Sequence, residues 1–514
     1  MKISRRSAVG LLAGAVPALG LAQGSRALPA GIETEPGPFE GTRRSLAAYR
    51  IPEWFHDAKF GIWAHWGPQS AIEHGDWYAR NMYLQGSPEY NYHVEHYGHP
   101  SKFGYKDTIP DWKAEKFDPA ALMRLYKKAG AKYFMSMGVH HDNFDLWNSK
   151  HQRWNSVNMG PRKDIVGMWS RAAREEGLKF AVSEHLWISH NWFSVSHGSD
   201  LSGPLAGVPY DGADPKYYDL YIDSDQIYRD LPWNEDGIPE WWKRHWYMRI
   251  KDLVDQYQPD LLYSDGALPF EEYGLNLVAH FYNASARRNG GRVEVVYTSK
   301  RLQDAEQGIA ALDRERGVVD KIWPQPWQTD ACIGNWHYLR GTAYKTPKRV
   351  IDMLVDIVSR NGNLMLNFPL PASGALDLEE LNVLSAITDW MAVNSEAIHG
   401  SRPWKVFGEG PGTEASAKGG DFNENSRKDL TADDVRFTTK GNTLYAFVMG
   451  WPDYQAVIRP LALKTVLRVG TIRNVELLGF DGKLEWSQDE TGLKVLTPAR
   501  KPCEHAVVFK VVGA

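Results

Sequence analysis

The octapeptide PDLLYSDG at residues 259–266 places an acid and a glycine directly after a short apolar run. In the preceding residues, 240–258, Trp, Ile, Leu and Val recur at the spacing of an α-helix. A helix, a short buried strand and then a carboxylate are typical of a parallel β/α-barrel, where residues that follow the strands meet at one mouth. Asp-Gly is also a common turn dipeptide, so the alternative is that Asp265 only shapes a turn.

Other segments between residues 45 and 400 end in the same way, and this favours the barrel. KFGIWAHWG (59–67) contains His65 near its end, AKYFMSMGV (131–139) precedes His140 and His141, and the predicted strand 178–183 precedes Glu184. Strands alternating with helices predict a TIM-like (β/α)-barrel, made irregular by insertions at 68–112 and 302–336. The other predicted strands are 261–264, 293–298 and 363–370, and the predicted helices are 120–129, 166–176, 240–258, 275–288, 347–361 and 376–398.

After Gly400 the pattern changes to short apolar runs between Gly, Asn, Asp and Pro turns. This pattern is typical of a small antiparallel β-sandwich, which we place at residues 401–514. The stretch 409–428 is rich in Gly, Ser, Asn and charge and is predicted to be a loop or linker. The predicted strands are 435–438, 443–449, 463–469, 475–478, 493–496 and 506–512.

The composition narrows the class of function. The 514 residues include 59 basic and 63 acidic side chains, a net charge of −4, and this balance argues against binding nucleic acid or a membrane surface through bulk charge. The 21 Trp and 24 Tyr are compatible with carbohydrate binding, because aromatic rings pack on the apolar faces of sugars. Two cysteines cannot form a disulfide framework or a cysteine-based metal cluster.

The first 22 residues have the features of an export signal. Lys2, Arg5 and Arg6 precede an apolar run from Ala8 to Leu21. The paired arginines resemble those of a twin-arginine signal, although ordinary secretory signals also contain them. We therefore expect an exported protein, periplasmic or extracellular, with no membrane-spanning run after residue 25.

In a barrel of this kind the residues that follow the strands form one polar pocket. A single histidine at a strand end is often structural, but together these residues offer hydrogen-bond donors for several hydroxyl groups and at least two carboxylates. Retaining hydrolysis of a glycoside needs two carboxyl groups about 5–5.5 Å apart, and Asp265 and Glu315 are the candidates. The residues that we expect at the pocket are His65, His140, His141, Glu184, His185, Asp265, Arg301 and Glu315.

The competing chemistry is hydrolysis assisted by a metal ion. Histidines and carboxylates at these strand ends are acceptable ligands for a divalent metal. The sequence contains neither a His-x-His pair after the first strand nor a His-Glu-x-x-His helix, and this disfavours a catalytic metal. The candidate ligands are His65, His140, His141, Glu184 and Asp265.

Five segments in the same order resemble the α-L-fucosidases of glycoside hydrolase family 29. They are KFGIWAHWG, DWYARNMY, AGAKYFMSMGVHHDNFDLWNS, WNSVNMGPRKDIVG and PDLLYSDG, and the resemblance extends from about Glu53 to Trp404. It implies a catalytic barrel followed by a β-sandwich, hydrolysis with retention, no cofactor, and Asp265 as the nucleophile. The sugar-binding residues that it implies are His65, His140, His141 and Arg301, with Trp77 or Tyr263 stacking on the sugar.

The acid/base residue follows less directly from the resemblance. Glu315 lies at about the expected distance past Arg301, but its neighbours Arg314 and Arg316 would lower the pKa of a carboxyl group whose role requires a raised one. Glu306 is the alternative. Glu315 could also be a surface charge paired with one of these arginines.

Two departures from the family pattern bear on the substrate. Asp76 stands before Trp77 where the family commonly has Glu, and Glu184-His185 follow a strand that often ends in tyrosines. Both positions are expected to line the sugar pocket. The resemblance implies an exo-acting, retaining α-L-fucosidase that acts on a fucosylated oligosaccharide or glycoconjugate. The alternatives are a related α-L-glycosidase, acting on an α-L-galactoside or a sulfated fucan fragment, and a non-catalytic glycan-binding relative; the sequence leaves a homo-oligomer open.

Overall fold

A computed structural model describes residues 32–414, 421–424, 427, 429–465, 467 and 470–514, so the predicted export signal lies outside the described residues. Its centre is a closed barrel of eight parallel strands in sequence order, in which β1 pairs with both β2 and β8. The predicted barrel is thereby confirmed. The strands are β1 (Phe60–Ala64), β2 (Tyr133–Val139), β3 (Lys179–Glu184), β4 (Leu261–Ser264), β5 (Val296–Ser299), β6 (Ala311–Glu315), β7 (Trp327–Cys332) and β8 (Gly362–Asn367).

Helices follow most of the strands and cover the outside of the barrel. Helix Pro119–Lys128 begins as its sequence predicts, because the Asp118 carboxylate accepts a hydrogen bond from the Ala121 N–H and proline occupies the first helical position. The other long helices are Ile165–Glu175, Glu240–Tyr257, Glu272–Arg288, Pro347–Ser359 and Leu378–Ile398. Shorter helices are Arg43–Leu46, Glu53–Ala58, Tyr78–Asn81, Pro88–His96, Tyr105–Thr108, Ser189–Trp192, Tyr218–Tyr221, Leu302–Glu306 and Pro411–Glu414.

The prediction that residues 302–336 are irregular is wrong. This stretch contains a short helix and two barrel strands, β6 and β7, which pair with each other and close the gap between β5 and β8. Their sequences, ALDRE and WQTDAC, contain no apolar run, because their inward side chains include the carboxylates of Asp313 and Asp330. A barrel strand whose end carries polar side chains therefore lacks the hydrophobic pattern used to recognise strands.

The C-terminal domain consists of two antiparallel sheets, as predicted, with strand orders β13-β16-β11-β10-β9 and β12-β15-β14. The prediction of a strand at 463–469 is wrong for residues 463–465, which lie in a turn, and residues 466, 468 and 469 lie outside the described residues. Strands β9, β12 and β14 were not predicted. The strands are β9 (Arg402–Glu409), β10 (Val435–Lys440), β11 (Thr443–Val448), β12 (Gln455–Ile458), β13 (Asn474–Leu477), β14 (Trp486–Asp489), β15 (Gly492–Leu496) and β16 (Val507–Val512).

Cys332 and Cys503 are free thiols. Among the described helices, none combines the length and the apolar character that crossing a bilayer requires.

A buried charge cluster joins the two domains. Asp356, on the helix Pro347–Ser359, accepts hydrogen bonds from Arg436 of β10 at 2.5 Å and from Arg360 at 3.1 Å, and Arg427 contacts the same carboxylate. Burial raises the pKa of Asp356, but the three guanidinium groups outweigh it and hold that pKa well below its usual range. The carboxylate is therefore the common anion of three arginines.

Replacing Asp356 with alanine should destabilise the protein by about 3–5 kcal/mol, because it leaves buried guanidinium groups without their anion. The shift of the urea unfolding midpoint measures this loss. Glu490→Ala, which removes the exposed ion pair with Lys464, is the matched control and should cost at most about 1 kcal/mol. Equal midpoint shifts for the two variants would contradict the stabilising role of the cluster.

Candidate active site

A cavity of about 450 Å³ opens at the carboxyl ends of the barrel strands. It lies where parallel barrels collect their functional residues, because the segments after all strands converge there. Its polar lining comes from the residues that follow successive strands: His65 after β1, His140 and His141 after β2, His185 after β3, Asp265 after β4, Lys300 after β5 and Glu315 at the end of β6.

Asp265 follows β4 directly and is held by hydrogen bonds on both sides. Its backbone N–H donates to the Glu184 carbonyl at 3.0 Å, and its own carbonyl accepts from Trp187 Nε1 at 2.5 Å. The next residue, Gly266, has a φ of 107°, a left-handed conformation that glycine adopts without strain. The Asp-Gly pair thus turns the chain and also directs the carboxylate into the cavity.

The Asp265 carboxylate is surrounded by hydrogen-bond donors and positive charge. Lys300 Nζ lies 2.6 Å from Oδ1, and His185 Nδ1 and His141 Nε2 lie 3.3 and 3.5 Å from Oδ2. The Tyr263 hydroxyl lies 3.3 Å from Oδ1. Burial raises the pKa of Asp265, but the Lys300 charge and the histidines outweigh it, so that pKa lies well below its usual value and the group is ionised.

The ammonium group of Lys300 also contacts Glu315, with Nζ 2.5 Å from Oε2. Since one nitrogen lies within 2.6 Å of an oxygen of each carboxyl group, those two oxygens are no more than twice that distance apart. Retaining glycosidases place their two carboxyl groups about 5–5.5 Å apart, whereas inverting enzymes separate them by about 6.5–9.5 Å. This upper limit lies below the separation that inverting enzymes use.

Glu315 is not the surface charge that its neighbouring arginines suggested as the alternative. Burial and the nearby Asp265 charge raise its pKa, and this increase outweighs the opposite effect of Lys300. Arg314 instead lies 3.5 Å from Asp421, and Arg316 lies 2.5 Å from Glu424, so both arginines are paired with acids from the segment between β9 and β10. The two carboxyl groups thus have pKa values displaced in opposite directions.

Two other expectations fail in this region. Glu306, the alternative acid, is exposed on the short helix Leu302–Glu306 and lies outside the cavity lining. Arg301 precedes that helix, and its side chain points away from the cavity to Glu271, at 3.9 Å. Because β5 ends at Ser299 and the helix starts almost at once, the residue directed into the barrel is Lys300, which sequence reasoning missed.

Three predicted residues, His65, Asp76 and His140, form a polar wall of the cavity, and a residue that was missed, His337, contacts Asp76 without lining the cavity. His65 and His140 are buried, and their pKa values are lowered, chiefly by burial, so both rings are neutral. Asp76 Oδ1 lies 2.5 Å from His337 Nδ1 and 3.9 Å from His140 Nε2. His337 comes from the loop after β7, and it was missed because β7 itself was not predicted.

Glu184 does not line the cavity, contrary to the expectation from sequence. Its carboxylate is buried outside the cavity, where Oε2 accepts hydrogen bonds from the Leu186 N–H at 2.9 Å and from Trp246 Nε1 at 3.0 Å. Glu184 is the last residue of β3 and faces the helix layer, and therefore His185, one residue later, faces the cavity. Burial lowers the pKa of His185 to about 4, so this ring is neutral too.

Aromatic rings form the rest of the lining. Tyr263 lies at the base and donates a hydrogen bond to Asp330 at 2.9 Å. Trp77 has a φ of 63°, a strained conformation of the kind that occurs at functional sites, and its ring packs against the exposed Trp233 with centroids 5.5 Å apart. The aromatic lining residues are Trp63, Trp77, Trp187, Trp233, Tyr263, Trp336 and Phe422.

Two groups of side chains are arranged so that they could hold a metal ion. One contains His65, Asp76, His140 and His337, the other contains His140, His141 and His185, and within each group the ligand atoms lie within 4.8 Å of one another. The same nitrogen and oxygen atoms suit the hydroxyl groups of a sugar. This side of the cavity is therefore equipped for hydroxyl groups or for a cation.

Comparisons with known proteins agree with this geometry. The family model described as Alpha-L-fucosidase matches residues 27–396, and the model of the Alpha-L-fucosidase C-terminal domain matches residues 427–512. Tissue alpha-L-fucosidase of Bos taurus is 27% identical over 500 residues, covering 93% of this chain and 92% of the relative. Its Homo sapiens counterpart is 27% identical over 489 residues, covering 91% of each chain.

Thermotoga maritima alpha-fucosidase, solved in complex with fucose, matches this structure with a TM-score of 0.68 and 25% identity, covering 92% of this chain and 100% of that one. The resemblance drawn from the sequence motifs is confirmed by these findings. Since the family model matches more than half of the residues of this chain, the chain belongs to the α-L-fucosidases, family 29 of the glycoside hydrolases.

Proposed function

We propose that the protein is an exo-acting, retaining α-L-fucosidase that releases terminal α-L-fucosyl residues through a covalent glycosyl-enzyme. The observation that carries this proposal is the pair Asp265 and Glu315, which share the ammonium group of Lys300 at 2.6 and 2.5 Å. The upper limit on the separation of these two oxygens is shorter than inverting enzymes need and agrees with a retaining pair, and the pKa values are displaced in the directions that a nucleophile and an acid require.

In the first step, the Asp265 carboxylate attacks the anomeric carbon while Glu315 protonates the departing glycosidic oxygen. The bond between the anomeric carbon and that oxygen breaks, and a β-linked ester to Asp265 forms. Asp265 loses its negative charge as Glu315 acquires one. Lys300 is placed to stabilise both states, because its ammonium group faces one carboxylate before the step and the other after it.

In the second step, Glu315 acts as a base. It takes a proton from water, which attacks the anomeric carbon, releases Asp265 as a carboxylate and gives a sugar of the original α configuration. Each half of the reaction moves one proton, and Asp265 and Glu315 together carry one negative charge before and after each step. The cycle needs no cofactor.

The polar wall and the aromatic rings are proposed to bind the fucosyl ring. His65, Asp76 and His140 are placed to contact its hydroxyl groups, His337 holds Asp76, and Trp77 is available for its apolar face. The cavity volume of about 450 Å³ suits one sugar and part of the next, which supports exo action on a fucosylated oligosaccharide or glycoconjugate. We further propose that residues 1–22 direct export to the periplasm or the exterior.

A related L-sugar is the second candidate substrate, and only one of the two sequence departures that suggested it lies at the cavity. Glu184 is buried against Trp246, while Asp76 lines the cavity with a side chain one methylene shorter than the family's usual Glu. We expect an aryl α-L-fucoside to be cleaved with a higher kcat/KM than the matching aryl α-L-galactoside. A preference for the galactoside would replace fucose by this sugar, and binding of both without turnover would support a glycan-binding protein.

Chemical rescue by azide assigns the two carboxyl groups on an activated aryl α-L-fucoside. Asp265→Gly should yield β-fucosyl azide, because azide displaces the leaving group directly, and Glu315→Ala should yield α-fucosyl azide, because azide attacks the β-linked intermediate. Without azide, each variant should lose at least about a hundredfold in kcat. A nuclear magnetic resonance spectrum identifies the anomer. The β product from the Glu315 variant would contradict its acid/base role.

The pH profile tests the role of the lysine. Ionised Asp265 sets the acidic limb of kcat/KM and protonated Glu315 sets the alkaline limb. Lys300 lowers the pKa of both groups, so Lys300→Met should move both limbs to higher pH, by about 1–3 pH units. Lys300→Arg keeps the charge and is the control. Limbs that stay in place, or that move to lower pH, in the methionine variant would contradict the shared-cation arrangement.

A further inference from the structure

The segment Asp421–Glu424, which lies between β9 and β10 in the chain, contacts the mouth of the barrel. The N–H of Phe422 donates to the carbonyl of Glu315 at 2.8 Å, and the N–H of Glu424 donates to the carbonyl of Arg316 at 3.0 Å. The segment therefore runs beside the end of β6, which carries the proposed acid/base residue. Among the described residues of the predicted linker 409–428, Phe422 lines the cavity.

Charged side chains fix the segment at both ends. Asp421 lies 3.5 Å from Arg314, and the nearly buried carboxylate of Glu424 lies 2.5 Å from Arg316 and 3.3 Å from Lys345. The four residues cannot shift along β6 without breaking two backbone hydrogen bonds and three ion pairs. Their position relative to Glu315 is thus determined by contacts with the barrel.

Phe422 is an unusual residue at this place. Its side chain lines the cavity and is nevertheless 61% exposed, and its φ of 54° is a left-handed conformation that is strained for a residue with a Cβ. A strained backbone that holds a large apolar ring in water is typical of a ligand contact. The ring is available to pack on a substrate.

The position of Phe422 relative to the proposed chemistry selects the part of the substrate. Glu315 protonates the oxygen between the fucosyl ring and the leaving group, so the leaving group extends outward from Glu315. The N–H of Phe422 is hydrogen-bonded to the backbone carbonyl of Glu315, and the Phe422 side chain lies at the exposed side of the cavity. Sugars present apolar C–H faces that pack on aromatic rings.

We propose, on the basis of the function proposed above, that Phe422 packs on the first sugar of the leaving group. The segment 421–424 then completes the substrate site, and the enzyme prefers saccharide leaving groups to small ones. The occupant is a pyranose ring joined to fucose through the oxygen that Glu315 protonates.

The test compares two substrates that differ only beyond the glycosidic atom. One is the fucosyl disaccharide that the wild type cleaves fastest, and the other is methyl α-L-fucoside, whose leaving group has no ring but still needs protonation by Glu315. In Phe422→Ala, the ratio of kcat/KM on the disaccharide to kcat/KM on the methyl fucoside should fall about three- to tenfold, as expected for one aromatic contact. Phe422→Trp should keep most of the wild-type ratio.

Tyr454→Ala is the matched control, because this aromatic residue is 72% exposed in the C-terminal domain and lies outside the cavity lining. Its ratio should equal that of the wild type. An unchanged ratio in Phe422→Ala would overturn the proposal, as would an equal loss on both substrates, which would make Phe422 a support for Glu315 only. A wild type that hydrolyses neither fucoside would overturn the proposed function itself, and with it this assignment.

Discussion

The ammonium group of Lys300 is the constraint around which the site is built. It lies within 2.6 Å of both Asp265 and Glu315, and so it fixes the distance between two groups that otherwise repel each other. Three neighbouring strands, β4, β5 and β6, supply the three side chains, which meet because adjacent parallel strands end at the same mouth of the barrel. The proposed reaction transfers the negative charge from one carboxyl group to the other, and the cation serves both states without moving.

The barrel and the position of Asp265 could be predicted because they depend on local signals. A buried apolar strand that ends in Asp-Gly, and helices that begin at Asp-Pro or Thr-Pro, are encoded by neighbouring residues. Strands β6 and β7 could not be predicted in this way, because the residues that serve the site replace the apolar ones that mark a strand. His337 was missed for the same reason, since it follows the unrecognised β7.

The other differences between the prediction and the structure come from the direction of side chains and from contacts between residues distant in sequence. Lys300 and Arg301 are adjacent, and only the tight transition from β5 to the next helix decides which one faces the cavity. Glu184 and His185 are also adjacent, and of these two only His185 faces the cavity. The effect of Arg314 and Arg316 on Glu315 cannot be judged from their adjacency, because Asp421 and Glu424 pair with them from more than 100 residues away.

The most direct measurement of the central claim is mass spectrometry of the protein after incubation with 2-deoxy-2-fluoro-α-L-fucosyl fluoride, which slows both steps and slows release of the intermediate more than its formation. A covalent mechanism with Asp265 as nucleophile predicts one fluorofucosyl group per chain, attached to the peptide that contains PDLLYSDG. An adduct on the peptide of Glu315 would reverse the two roles. Steady turnover without any adduct would contradict the covalent intermediate.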